Sequence, residues 1–128
     1  MKARIERAIT LAKQGDHVRA TDDVEAFARR DDLTNNNVYN LACLCSQSSA
    51  AAGRDDRLSP AERARLKAHH AERAMELLKK AVAMGYRHPA AMGTDHDLDA
   101  LRDRDDFRKL IADLDTEQNA SGGGQTGR

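Results

Sequence analysis

Apolar residues recur along the chain at helical spacing, and its few β-branched residues never alternate with polar ones. Ile5, Ala8, Ile9 and Ala12 share one face of a first predicted helix, and a second helix is expected over residues 17–30. The pattern therefore predicts an all-α fold that begins with a pair of helices.

The run NVYNLACLCSQSSAAAG, residues 37–53, predicts a third helix that carries both cysteines of the chain. Residues two apart on a helix point about 200° away from each other, so Cys43 and Cys45 are poorly placed to hold one metal ion. A structural zinc site takes about four ligands, and no second cysteine pair exists. We interpret both cysteines as small packing side chains and predict no metal site and no cofactor.

The clearest helix boundaries belong to a long helix over residues 60–84. Ser59 is a typical N-cap, Pro60 suits the first helical position, and Glu62 completes a capping box. Gly85 is expected to end the helix, because glycine readily adopts the left-handed conformation found there.

Apolar residues at helical spacing return near the C-terminus, where they predict short helices that cap the fold. The final segment, TEQNASGGGQTGR, has no apolar face to bury and is expected to be a disordered tail. The predicted domain covers residues 1–115, and the predicted tail covers residues 116–128. The apolar residues of the capping helices are Leu98, Leu101, Phe107, Leu110, Ile111 and Leu114.

The charge balance excludes some classes of partner. The 21 Lys and Arg residues equal the 21 Asp and Glu residues, so net charge gives no attraction to nucleic acid or to an anionic membrane. No apolar run reaches the roughly 20 residues that span a bilayer, and the charged N-terminus lacks the apolar segment of a signal peptide. We expect a cytoplasmic protein with reduced cysteines, without nucleic acid or membrane as a partner.

The charges are nevertheless distributed unevenly. Residues 54–91 carry nine Lys and Arg against five acids, whereas residues 92–117 carry four against nine. This asymmetry suggests that the last helices lie against the long helix. A solvated charge pattern explains the same distribution.

Shifting the chain by one tetratricopeptide period, about 34 residues, places Ala8 over Ala42 and Leu11 over Cys45. KQGDHVRA resembles the turn between the helices of such a repeat, and AERAMELLKKAVAMG resembles the second helix of a repeat. Together with VYNLACLCSQSSAA and DHDLDALRDRDDFRKLIADL, they make the chain similar to the C-terminal tetratricopeptide segment of large bacterial proteins, including some serine/threonine protein kinases.

The resemblance covers residues 1–115 and implies a right-handed superhelix of antiparallel helix pairs that binds protein segments. It implies no catalysis, because the chain has no Gly-rich ATP loop, His-Arg-Asp loop or Asp-Phe-Gly motif. We therefore expect a non-catalytic protein-interaction module rather than an enzyme. About 20 additional residues in the second unit depart from the family's spacing and lengthen its second helix.

In tetratricopeptide arrays the first helix of each unit lines the concave face, where peptides bind. The partner would be a protein or peptide segment, which this sequence does not identify. Two units are fewer than the three or so that usually complete such a stack, so the C-terminal helices, a homodimer or a partner domain would cover the open end. By this resemblance the expected partner-binding residues are Ile5, Ile9, Asn36, Tyr39, Asn40, Cys43 and Gln47.

The run TDHDLDALRDRDD, residues 94–106, alternates aspartates as a calcium-binding loop does. However, Ala100 stands where that loop needs a glycine, and Asp106 stands where it needs a glutamate. We therefore interpret Thr94 or Asp95, and then Asp103, as caps of short helices.

His69 and His70 are adjacent on the long helix, and no other histidine follows at a metal-binding spacing. We interpret them as packed or solvated side chains. Two alternatives to the interaction module are a small helical metal- or ligand-binding protein that uses the His and Asp residues, and a structural capping fragment of a larger kinase-like polypeptide.

Overall fold

A computed structural model gives the fold and describes residues 24–30 and 32–126, with side chains up to residue 117. Every regular element within these ranges is helical, which confirms the all-α class. The predicted first helix, with Ile5 and Ile9, lies outside the described residues. The elements are a helical stretch at 24–28, α1 (Asn35–Gly53), α2 (Pro60–Ala83), α3 (Pro89–Thr94), a 3₁₀ helix (His96–Leu101) and α4 (Asp105–Thr126).

The central helix of the described fold is α1. It begins with a capping box in which the Thr34 side chain accepts the Asn37 amide and the Asn37 side chain accepts the Thr34 amide. The sequence pattern predicted one apolar stripe on this helix, but α1 is buried on nearly every side. Its buried residues are Val38, Tyr39, Leu41, Ala42, Cys43, Leu44, Cys45, Ser46, Ser48, Ser49, Ala51 and Ala52.

Both predicted boundaries of α2 are confirmed. Ser59 and Glu62 form the expected capping box, and Pro60 is the first helical residue. At the other end Gly85 has a φ of 108°. The Tyr86 amide donates to the Ala81 carbonyl at 2.9 Å and the Gly85 amide donates to the Val82 carbonyl at 3.0 Å, which is the pattern of a Schellman motif.

Helices α1 and α2 pack against each other as an antiparallel pair. Asn35 at the start of α1 donates from Nδ2 to the Met84 carbonyl just beyond α2, at 3.3 Å. Near the other end Ser49 Oγ donates to the Lys67 carbonyl at 2.8 Å. Ala74 is fully buried on α2, and such a small side chain permits close approach of the two helices.

The C-terminal elements extend this pair. The 3₁₀ helix packs on α1, while α4 packs mainly on α3 and contacts α2 at few positions. Arg104, at the start of α4, pairs with Glu72 of α2 at 2.9 Å. The expected contact between a basic long helix and acidic last helices is therefore limited. In this ion pair the long helix supplies the acid and the last helix supplies the cation, which is the reverse of the expected arrangement.

The last helix begins later and ends later than expected. The Arg104 carbonyl accepts the Arg108 amide at 3.2 Å, so the helix begins after Arg104, and Asp103 is not its N-cap. The backbone of α4 continues to Thr126, whereas the tail was expected from residue 116. The division into a domain and a tail at this point stays a prediction.

The left-handed conformation of Gly85 generates the first testable prediction. Gly85→Ala should lower the free energy of unfolding by about 1–2 kcal/mol, because an L-residue is strained at this φ. Gly93→Ala is the matched control: an added Cβ there meets no atom within 4 Å, and alanine should stabilise α3 by about 0.4–1 kcal/mol. Urea unfolding measures both changes, and equal effects of the two variants would contradict the assigned helix end.

Candidate functional site

Three of the expected partner-binding residues lie on one face of α1. Tyr39, Cys43 and Gln47 are each four residues apart, so they follow one another along one side of the helix. Tyr39 is 7% exposed and Cys43 is 2% exposed, while Gln47 is half-buried. We call these three residues the groove face.

The groove face is covered by the chain itself. Tyr39 Oη donates to Asp95 Oδ2 at 2.6 Å, and Cys43 Sγ lies 3.9 Å from the same oxygen. Gln47 Nε2 donates to Asp97 Oδ1 at 2.9 Å. All three side chains of the groove face therefore direct a hydrogen towards a carboxylate of the 3₁₀ segment, which we define as residues 95–101.

Local hydrogen bonds hold the 3₁₀ segment in the conformation that presents these carboxylates. Asp95 Oδ1 accepts the Asp97 amide at 2.9 Å, so Asp95 is the cap, which the sequence had left open between Thr94 and Asp95. The Asp95 carbonyl also accepts Arg102 Nη2 at 2.8 Å. Leu98 and Leu101 are fully buried. Two buried leucines therefore hold the segment in the fold together with its hydrogen bonds.

The two tyrosines extend the contact towards the end of α2. The rings of Tyr39 and Tyr86 stack with centroids 4.3 Å apart and planes 9° apart. His88 meets the Tyr86 ring edge-on at 4.8 Å. The link between α2 and α3 is therefore packed against the same side of α1 as the 3₁₀ segment.

The raised pKa values of Tyr39 and Cys43 agree with a groove face made of hydrogen-bond donors. Burial raises the pKa of the Tyr39 hydroxyl, and the neighbouring Cys43 and Asp95 raise it further. Burial and then Asp95 and Asp97 raise the pKa of the Cys43 thiol well above its ordinary value. Both groups keep their protons at neutral pH, so they donate to Asp95 rather than repel it.

The groove face leaves little room for a partner in this conformation. Removing the 3₁₀ segment would expose two buried leucines, at a cost of about 3–6 kcal/mol, in addition to the hydrogen bonds. Asn36 is exposed and Asn40 is half-buried, so both remain at the rim. Ile5 and Ile9 lie outside the described residues, and partner binding at the expected set stays a prediction.

Metal-binding atoms do come together here, although in a set that the sequence did not suggest. Cys43, Asp95 and Asp97 each place one possible ligand atom within 4.8 Å of the others. Structural zinc sites usually have about four ligands, and zinc binds the thiolate. Here only three possible ligands come together among the described residues, and Tyr39 and Gln47 already donate to the carboxylates of Asp95 and Asp97. We therefore assign these residues to the closure of the groove face.

The remaining sequence candidates have separate surroundings. Cys45 is buried on another side of α1, and burial raises the pKa of its thiol to about 12. Asp99 pairs with Arg102 at 2.6 Å, and Asp106 pairs with Arg104 at 2.9 Å. Asp99 and Asp106 thus have partners of their own, and only Asp95 and Asp97 of the calcium-like run come together, beside Cys43.

The histidines do not form a cluster within the described residues. His70 is buried on α2, and its ring meets that of exposed His69 at 5.6 Å. His88 packs on Tyr86, and His96 contacts Asp99 at 3.4 Å. Their positions therefore support the interpretation as packed or solvated side chains.

A second concave surface lies between α3 and α4, and we call it the edge pocket. Its volume is about 350 Å³, and it is open to solvent. The sequence did not indicate it, because its walls come from segments whose apolar residues were all assigned to the core. The residues that line it are Gly93, Arg102, Phe107, Arg108, Ile111, Ala112 and Asp115.

Comparisons with known proteins add no relative: no family model, no curated protein and no solved structure matches the chain. In the part of the chain that the structure describes, no helix has both the length and the apolar character needed to cross a membrane. Function must therefore be inferred from the residues of the chain itself.

The buried thiols generate a prediction for alkaline pH. In the unfolded chain a thiol ionises near about pH 8.5, but the folded state holds the pKa of Cys45 at about 12 and that of Cys43 well above its ordinary value. Stability should therefore be complete below about pH 8.5 and fall above it by about 1.4 kcal/mol per pH unit for each thiol.

Urea unfolding across this range measures the effect, and Cys45→Ala provides the control. The variant should lose a constant amount of stability to its cavity, but its stability should fall less steeply with pH because one thiol is gone. Parallel curves for the two proteins would show that Cys45 does not titrate as a buried thiol.

Proposed function

We propose that this domain is a non-catalytic, tetratricopeptide-like protein-interaction module that binds a short protein segment in the edge pocket. The observation that carries the proposal is an open concavity of about 350 Å³ between two helices, with Phe107 and Ile111 among its lining residues. Pockets that hold ligands usually begin at about 300 Å³. The volume suits one or two large apolar side chains better than a folded domain.

The helical architecture supports the choice of an interaction module. The antiparallel pair of α1 and α2, with fully buried Ala42 and Ala74, has the close helix approach on which the resemblance to tetratricopeptide proteins depends. Helical grooves of this kind bind segments through side chains that enter apolar pockets.

The closure of the groove face moves the proposed binding surface to the edge pocket. Tyr39 and Cys43 contact Asp95 of the same chain, so a segment entering there would have to displace the 3₁₀ segment and its buried leucines. The edge pocket requires no such displacement, because Ile111 is only partly buried and Ala112 is exposed.

Gly93 makes this proposal testable without a disruptive substitution. A Cβ built at Gly93 meets no atom within 4 Å, so a side chain there starts in open space beside the pocket that Gly93 lines. Gly93→Leu should therefore fill the pocket and leave the fold stable. Ala61→Leu, on the exposed first turn of α2, adds a similar apolar side chain elsewhere and is the matched control.

Selection of a random peptide library displayed on phage against the purified domain measures the binding. We expect peptides with a shared apolar anchor that bind the original protein and the Ala61→Leu variant equally and lose at least about tenfold in affinity for Gly93→Leu. Selected peptides that bind Gly93→Leu as tightly as the original protein would place the binding surface elsewhere and contradict the proposal.

A further inference from the structure

We infer that the segment bound in the edge pocket carries a basic side chain next to its apolar anchor, and that Asp115 receives this cation. The inference rests on the proposed function and adds the charge of the partner to it. In and around the pocket, acidic side chains outnumber basic ones. The basic side chains already have partners within the chain, whereas one acidic side chain has none among the described side chains.

Arg102 is already fully engaged. Its Nε donates to Asp99 Oδ1 at 2.6 Å, and its Nη2 donates to the Asp95 carbonyl at 2.8 Å. The remaining Nη1 donates to the Gly93 carbonyl. Arg102 therefore ties the wall of the pocket to α3 and to the 3₁₀ segment, and it has no free end for an anionic partner.

Arg108 is surrounded by more acid than it can neutralise. Its guanidinium lies 3.6 Å from Asp103 and 3.8 Å from Asp105, and both of these carboxylates are fully exposed. Its Nε donates to the Arg102 carbonyl at 3.1 Å. The positive charge of Arg108 is thus matched by two negative charges at the same end of the pocket.

Asp115 is the acid that remains. It is exposed, it lines the pocket, and it has no ion pair with any side chain that the structure describes up to residue 117. It lies seven residues after Arg108 on α4, about 10 Å further along the helix, with Ile111 between them. An extended or helical segment that places an apolar side chain at Ile111 would bring a neighbouring lysine or arginine to Asp115.

The sum of these charges is negative. The lining itself carries two arginines, Arg102 and Arg108, and one aspartate, Asp115. Three more aspartates pair with these arginines from outside the lining, namely Asp99, Asp103 and Asp105. With them the count is two arginines against four aspartates, a difference of −2 around the pocket, whereas the whole chain has a formal net charge of zero. Attraction of a basic segment would therefore come from this surface and not from the protein as a whole.

Nor does the long helix neutralise this acidic surface. The ion pair between α4 and α2 joins Arg104, from the acidic stretch 92–117, to Glu72, from the basic stretch 54–91. It therefore removes a cation from the acidic stretch and neutralises none of its aspartates. Arg87 reaches Glu117 at 3.6 Å, beyond Asp115. The aspartates around the pocket are thus left facing solvent.

Two synthetic peptides test the inference. They are fluorescein-labelled dodecapeptides with the same leucine and phenylalanine anchors, flanked by lysines in one and by glutamates in the other. Fluorescence anisotropy at low ionic strength should give about tenfold or tighter binding of the lysine peptide. Asp115→Lys should reduce that binding at least about fivefold, while Asp56→Lys, with the same change in net charge on the fully exposed connection between α1 and α2, should not.

The outcomes separate this inference from the proposed function. Equal binding of the two peptides, or equal effects of Asp115→Lys and Asp56→Lys, overturns the basic partner and leaves the edge pocket in place. Binding of the lysine peptide that Gly93→Leu does not weaken overturns the edge pocket itself. Self-association that Asp115→Lys abolishes, measured by sedimentation equilibrium, overturns the peptide partner in favour of a second copy of the chain.

Discussion

The contact between Tyr39 and Asp95 joins positions 56 residues apart, and the C-terminal part of the fold depends on it. A hydrogen bond to a carboxylate contributes about 1.5–3 kcal/mol, whereas burial of Leu98 and Leu101 contributes about 3–6 kcal/mol. The leucines therefore supply most of the stability of the 3₁₀ segment on α1. The hydrogen bond fixes which way the segment faces, because apolar contact alone is not directional.

That orientation has a consequence for binding. A face of α1 that would line a peptide groove in a tetratricopeptide array instead donates hydrogens to Asp95 and Asp97 of its own chain. The chain supplies internally the kind of acidic segment that this face could recognise. An external segment would compete against a tethered one, whose effective concentration is about millimolar or higher. We therefore place the proposed partner in the edge pocket, whose lining residues all lie outside the 3₁₀ segment.

Features that depend on neighbouring residues could be predicted from the sequence. The capping box at Ser59, the end of α2 at Gly85 and a cap at Thr94 or Asp95 each involve residues within a few positions of one another, and each is confirmed. The burial of Cys45 was predicted as well, because helical spacing places it on the packing side of α1, whereas Cys43 was expected on the groove face. These features need no knowledge of how the helices are arranged.

The candidate site could not be predicted in the same way. The Tyr39–Asp95 and Gln47–Asp97 contacts join residues at least 50 positions apart, and nothing in either segment specifies the other. The resemblance implies a binding groove along the polar side of α1, but these side chains donate to Asp95 and Asp97 of the same chain. The edge pocket could not be predicted for a related reason: the spacing of Ile111 indicates only the apolar side of a capping helix, whereas in the fold Ile111 is partly buried and lines the pocket.

Arg102 connects the two surfaces. One end of its guanidinium holds the Asp95 carbonyl behind the groove face, and another holds the Gly93 carbonyl in the wall of the edge pocket. A partner that binds the pocket only when this wall is formed stabilises the wall by mass action, and with it the 3₁₀ segment. Occupation of the edge pocket would thus strengthen the closure of the groove face. The two surfaces would act together instead of competing for one partner.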